Sequence, residues 1–387
     1  MRKHSKGILV AILSVFLATS FNVASANTHE PQMTYKIPFL VAASNAPQSV
    51  KDIAGYVANG TDDQVEIQAA IDALGSPGRV ELSSGTFYTT GAILLNDETV
   101  LEGQGWGGAT DPAKIDGTTV IAASSGVVAI RATDKESFRV ANLKVYGGRV
   151  GLNIATTGGA GIHRNFILEN LVFNGQSGSD ARGLQIIGAS PNDLLSTWRA
   201  NNIIVRRVSG IGINVQNTSD WFGSEWYSFA TIGHAIQIRD SASFNANLIR
   251  GDNAGTGNVG KVNGIRLLAI ANATFTNISA MNNNGEGILF DSSGSDVQFV
   301  GGWVRDNGWD SALPEYQRTG MTLSGSLQYI TVSGMHFYNT PGLSTQQYGM
   351  LDIGPLHTLI GNTFHDNNVS SARAVDSGAI IIGNRGL

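Results

Sequence analysis

One short phrase recurs along this chain: a small residue, an apolar one, a variable one, a second apolar one and then a polar turn. It reads His-Ala-Ile-Gln-Ile-Arg-Asp at 234–240, Asn-Gly-Ile-Arg-Leu-Leu-Ala at 263–269 and Glu-Gly-Ile-Leu-Phe-Asp-Ser at 286–292. Further copies begin at Gly151, Gly183, Gly212, Gly320 and Gly349, so that the steps between copies are 32, 29, 23, 29, 23, 33 and 29 residues. Alternating apolar positions closed by Asn, Asp or Gly mark strands rather than helices. A recurrence of this size, with no helical pattern between copies, marks a solenoid. One coil cannot bury its own apolar face, so the coils must stack. The shortest steps read as bare coils of three short strands and the longer ones as coils carrying an extra loop, where a site would be built.

Length alone, at 387 residues with 42 % hydrophobic, would suggest more than one domain. A solenoid grows in one dimension without splitting, which overrides that expectation. The net charge of −5, with no Lys/Arg-rich run after residue 6, argues against a nucleic-acid partner. Without cysteine there is no disulfide, thiolate metal site or Cys nucleophile. Residues 1–26 have the three parts of a secretory signal: Arg2, Lys3 and Lys6, then the apolar run Gly7 to Leu17, then Ala24-Ser25-Ala26. That run is too short to span a bilayer, so no membrane span is expected and the protein is expected outside the cell. The domain plan is a signal peptide at 1–26, an N-terminal extension at 27–58 and a β-helix at 59–387.

The segment from Asn59 to Leu74 predicts a helix. Thr61 or Asp62 can cap it, Asp63 and Glu66 fall in the first turn, and Val65, Ile67, Ala70, Ile71 and Leu74 form an apolar face. Such a helix would close the open end of the stack. Together with Arg79-Val-Glu-Leu-Ser-Ser-Gly-Thr-Phe and Val100-Leu-Glu-Gly-Gln-Gly, this segment resembles the N-terminal region of the pectate-lyase-like superfamily, of the rhamnogalacturonase/epimerase type. The resemblance implies an all-β fold, a right-handed, single-stranded parallel β-helix with an N-terminal capping α-helix. It further implies action on polysaccharide, although the superfamily also includes phage tailspikes and non-catalytic members. Asp62 and Asp63 read as helix-capping residues rather than catalysts.

Aligned as strands, the phrases give an outward column of Asn153, Gln185, Asn214, Gln237, Arg266, Leu289 and Thr322. The position before the small residue gives Arg182, His234, Asn263, Glu286 and Tyr348, and just past the strand lie Gln216, Arg239 with Asp240, Leu268 and Asp291. The resemblance places the polysaccharide along this face. Arg182, Arg239, Arg266 and Gln237 are the expected substrate-binding residues. Asp240 and Asp291, two coils and so roughly 9–10 Å apart, with Glu286 as a third acid, fit the carboxyl pair of an inverting glycoside hydrolase, about 6.5–9.5 Å. A lyase or epimerase would instead use Arg239 or Arg266 to neutralise a uronate, with His234 or Tyr348 as base.

A second candidate is 219–227, where Trp221, Trp226 and Tyr227 could stack on sugar rings while Asp220 and Glu225 act as acid and base or bind a cation. A third is 304–316, with Asp306, Trp309, Asp310 and Glu315. The sequence departs from the polygalacturonase pattern. It has only Asn217-Thr-Ser-Asp220, Gly233-His-Ala and Gly264-Ile-Arg-Leu, with no paired Asp between them, so that family's catalytic residues are not carried over. No phosphate loop, nucleophile elbow or His-Glu-x-x-His is present. No metal ligand set is identified; a bound calcium is left open but has no signature, since the acids are scattered rather than spaced as oxygen ligands in one loop. The expectation is a secreted glycoside hydrolase or polysaccharide lyase. The alternative is a glycan-binding surface, adhesion or tailspike-like protein, and the oligomeric state is left open.

Overall fold

The computed structural model describes residues 39–106, 117–159, 161–190, 193–257, 260–352, 356–374 and 378–386. The expected signal at 1–26 lies outside them, and residues 36–387 form one compact unit. The fold is the expected right-handed parallel β-helix. Strand after strand pairs in parallel with its equivalent one coil on, and the register reproduces the column read from the phrases. Arg131, Asn153, Gln185, Asn214, Gln237, Arg266, Leu289 and Thr322 are successive partners. Each step is one inter-strand spacing of about 4.8 Å.

The small residue of the phrase has a steric cause. A Cβ on Gly183 would collide with Val205, and one on Gly212 with the Ser228 hydroxyl, each from the opposite wall of the same coil. A side chain at either of these two glycines would push the walls of its coil apart. Ala235 and the glycines at 151, 264, 287, 320 and 349 occupy the same place.

Three separate short strands per coil were expected, but in the middle coils they merge. Ile236–Asp252, Ile265–Met281 and Ile288–Arg305 run without a break through their corners. Each corner is made by one residue at positive φ, which turns the chain and lets the parallel ladder continue. Asn217 and Asp240 form one corner column, Asp220, Ser243 and Asn272 a second, and Asn142, Asn170, Asn202, Glu225 and Asn277 a third. Asn and Asp tolerate this left-handed backbone best among residues with a side chain, which accounts for much of the polar turn chemistry in the sequence. The corner amides bond along the stack, Asn170 Nδ2 donating to Asn142 Oδ1 (2.8 Å) and Asn202 Nδ2 to Asn170 Oδ1 (3.0 Å).

Inside, Phe138, Phe166, Trp198, Trp221 and Phe244 stack coil upon coil with ring centroids 5.1, 5.3, 4.7 and 4.1 Å apart. These separations are set by the coil repeat, and stacked aromatics add to what area burial alone supplies. At the N-terminal end the helix is Gln64–Leu74, and it buries Ile67, Ala70, Ile71 and Leu74. Val65, expected on that face, is 53 % exposed. Asp63 takes the N-cap position, yet its carboxylate accepts from the backbone N–H groups of Gly60 and Tyr88 and so ties the helix to the first coils. The β-helix also begins before residue 59, because Phe39–Ala42 pairs with Tyr56–Val57 and with Gly78–Leu82. The later part of the expected extension is therefore part of the first coil.

Candidate functional site: an arginine-lined groove

Strands Val128–Thr133, Val150–Ala155, Arg182–Ile187, Ile211–Ser219 and Ile236–Asp252 turn their outward residues to one groove of about 370 Å³. Four guanidinium groups, Arg131, Arg149, Arg182 and Arg239, line it beside the amides of Asn153, Gln185, Asn214, Gln216 and Gln237. Asp180 is the one acid among its described lining residues, and its carboxylate is 85 % exposed, 3.7 Å from Arg182. The Nε atoms of Arg149, Arg182 and Arg239 and the Oδ1 of Asn153 are buried without a hydrogen-bond partner. Burial holds the Arg182 pKa below its usual value. A groove so rich in unused donors and so poor in acids is suited to an oxygen-rich, negatively charged ligand.

Beyond Gln237 the same column continues to Arg266 and meets a buried polar chain. The backbone N–H of Asn263 donates to His234 Nδ1 (3.0 Å), so the neutral ring carries its proton on Nε2. Arg266 Nη1 lies 3.4 Å from that Nε2; both groups are donors, and this contact is not a hydrogen bond. Burial first, and then the Arg266 charge, push the His234 pKa down to about 4. With Nδ1 occupied and Nε2 protonated, the neutral His234 has a donor rather than an acceptor to offer. It is not the base expected from the sequence.

Glu286 was expected to point outward but is 1 % exposed. Lys261 Nζ sits 3.1 Å from its Oε1 and Asn263 Nδ2 donates to its Oε2 (2.9 Å), while burial raises its pKa. Its carboxylate is committed to the interior, so it is a structural ion pair rather than a catalytic acid.

Other expectations are corrected by the corners and the core. Asp240 is a corner residue at φ 50° that borders a separate shallow hollow with Asn217, Thr218 and Ser241. Asp291 lies two coils away in the register column of Arg239, with its Oδ1 accepting from the N–H of Ser292 and the hydroxyl of Ser324. Asp240 is one residue past that column, so the two carboxylates are not brought together on one groove. Asp220 and Glu225 are likewise corner residues, at φ 52° and 57°, in two further columns. Trp221 and Trp226 are 2 % and 0 % exposed, stacked 5.5 Å apart in the interior, and Trp226 Nε1 donates to the carbonyl of Ala200. Neither can meet a sugar. In the third segment, Asp306 is buried and accepts from the N–H and hydroxyl of Thr340.

The expected substrate-binding residues Arg182, Arg239 and Gln237 do line the groove, and Arg266 neighbours Gln237 in register. The reading missed Arg131 and Arg149. Extending the outward column one coil back from Asn153 lands on Arg131, a signal present in the sequence. Arg149 precedes its strand, and only the fold shows that it turns inward to the groove. Among the described residues, no group of three or more His, Asp or Glu side chains is placed to hold a metal ion, and no helix is long and apolar enough to cross a membrane.

Known structures of the same architecture are numerous. The A-module of the mannuronan C-5 epimerase AlgE4 of Azotobacter vinelandii matches over 88 % of this chain and 99 % of its own, at 15 % identity and a TM-score of 0.61. The enzymatically active domain of bacteriophage CBA120 tailspike protein 2 matches over 85 % and 50 %, at 12 % identity and a TM-score of 0.60. The DFA-IIIase of Arthrobacter chlorophenolicus A6, in complex with GF2, matches over 88 % and 93 %, at 12 % identity and a TM-score of 0.58. At such identities the likeness is one of fold. No curated protein shows significant sequence similarity to the chain. Residues 49–259, more than half of the chain, match the family model described as rhamnogalacturonase A/epimerase, pectate lyase-like. The chain belongs to that family.

Proposed function

We propose that this protein is a secreted carbohydrate-active enzyme that binds an acidic polysaccharide along the arginine-lined groove and acts at the carbon beside the sugar carboxylate, as a lyase or an epimerase. The observation that carries this reading is the excess of four guanidinium groups in the groove over the acids near them, Asp180 in its lining and Asp240 3.7 Å from Arg239 beyond the corner. Fixed positive donors beside a uronate carboxylate stabilise the charge that builds up when the neighbouring C–H proton leaves. Hydrolysis is less well served, since Asp240 is turned over a corner away from Asp291. Asp291, on the strand face next to that of Arg266, is the carboxylate this reading assigns to proton acceptance. Export rests on the signal-like residues 1–26. The fold relatives that act on carbohydrate are consistent with this class of substrate.

The groove's flat run of amides supports a second reading, a glycan-binding protein without turnover. The test is incubation of the signal-free chain with acidic and neutral polysaccharides, following reducing ends, the ultraviolet absorbance of a new conjugated double bond, and C5 proton exchange in heavy water. Absorbance or exchange on an acidic polymer, lost in Asp291→Asn while binding persists, is the expected outcome. Reducing ends alone, from a neutral polymer, would overturn it. Binding with no chemical change would favour the second reading.

A further inference from the structure

We propose that Arg266 and His234 together form a seat for one glycan carboxylate, with one oxygen shared between the Nε2–H of His234 and the guanidinium. The inference rests on the acidic-polysaccharide reading and deepens it, by naming where along the column a carboxylate is held. The backbone N–H of Asn263 fixes the tautomer of His234, and this leaves two donors, Nε2–H and Arg266 Nη1, facing each other at 3.4 Å. Two donors at that separation have nothing to exchange, and an acceptor oxygen bridging them from one side, about 2.9 Å from each nitrogen, would satisfy both. The Nε of Arg266 is also buried without a hydrogen-bond partner.

The nearest interior carboxylate cannot serve. Glu286 has one oxygen on Lys261 and the other on Asn263, and Asn263 is the residue whose backbone orients His234. The arrangement is therefore a chain in which Lys261 fixes Glu286, Glu286 and Asn263 fix each other, and Asn263 fixes the proton on His234. Its outer end is a pair of unused donors, His234 just before the strand that carries Gln237 and Arg266 beside Gln237 on the next strand, one register step past the groove's last lining column. A guanidinium with a second donor beside it suits a planar, bidentate carboxylate.

The test uses the signal-free chain and a panel of uronate tetrasaccharides, each paired with its carboxyl-reduced form, measured by titration calorimetry. For the uronate that binds, Arg266→Gln is expected to lower affinity roughly 10- to 100-fold and to leave the reduced form unaffected. Arg266→Lys, which keeps the charge but not the fork, is expected to fall between. His234→Phe keeps the ring and removes the donor, and should lose a smaller share. Melting temperatures equal to the parent's would show that the variants are folded. Equal loss on acid and reduced forms would overturn the seat, as would dependence on Arg266 for sulfated rather than carboxylated sugars. If binding to a uronate depends on Arg131 and Arg182 but not on Arg266, the seat alone fails. If no uronate binds, the seat and the acidic-polysaccharide reading both fail.

Discussion

Trp226→Ala is expected to destabilise the protein by about 3–5 kcal/mol and to leave glycan affinity unchanged in the fraction that folds. The indole is fully buried, stacks 5.5 Å from Trp221 and 6.3 Å from Trp198, and donates to the carbonyl of Ala200. Gly223 lies against it so closely that a Cβ there would come 2.8 Å from the Trp226 ring and 2.9 Å from that of Trp221. The neighbours are themselves locked by coil stacking, so the space left by truncation cannot collapse, and an uncollapsed cavity is what makes such losses large. Denaturant melts of parent and variant, with calorimetry on the folded variant, check both halves. A small loss of stability with a large loss of glycan affinity would return Trp226 to the surface role that the sequence suggested.

Lys261→Met should cost about 2–3 kcal/mol near neutral pH, at the low end for a broken buried ion pair because Lys261 itself is partly exposed. It leaves the carboxylate of Glu286, 2 % exposed, with the Asn263 amide and its own backbone N–H but no cation to answer it. Burial already raises the Glu286 pKa and Lys261 pulls it back, so the substitution raises it further. A carboxyl whose folded pKa lies above its unfolded value costs stability once the pH exceeds the unfolded value. That cost disappears as the pH falls through the folded value and the group takes up a proton. The deficit of the variant should therefore shrink from neutral to mildly acidic pH, and Glu286→Gln added to it should recover much of the loss. Urea melts of the single and double variants at two pH values test this. A deficit independent of pH would mean that the loss is one of packing by the lysine stem.

Much of the fold could be read from the chain because its cause is periodic. The phrase glycines meet the opposite wall in every coil, and the outward column from Asn153 to Thr322 follows from strand alternation alone. The same alignment carried to the second strands would have placed Phe138, Phe166, Trp198, Trp221 and Phe244 in one interior column. Within the segment 219–227 alone, a buried indole and a sugar platform look alike. The acids failed for a related reason. Asp220 and Asp240 stand at corners where positive φ selects Asn and Asp, and Glu225 shares the corner column of Asn202 and Asn277, so these positions report backbone geometry. Glu286 is not legible because the position before the small residue is buried in some coils, as at Asn263 and Glu286, and partly open in others, as at Arg182 and Tyr348. The arginines Arg182, Arg239 and Arg266 were legible because outward strand positions with long charged side chains have one place to go.

The most direct measurement is the affinity of one acidic polysaccharide and of its carboxyl-reduced form for the parent chain and for a variant with Arg131, Arg149, Arg182, Arg239 and Arg266 all changed to Gln, across a range of salt. The parent is expected to bind the acidic form more tightly, with a preference that weakens steeply as salt rises, and the variant to lose both the preference and its salt dependence. A parent that binds both forms alike, or a variant that keeps the preference, would contradict it.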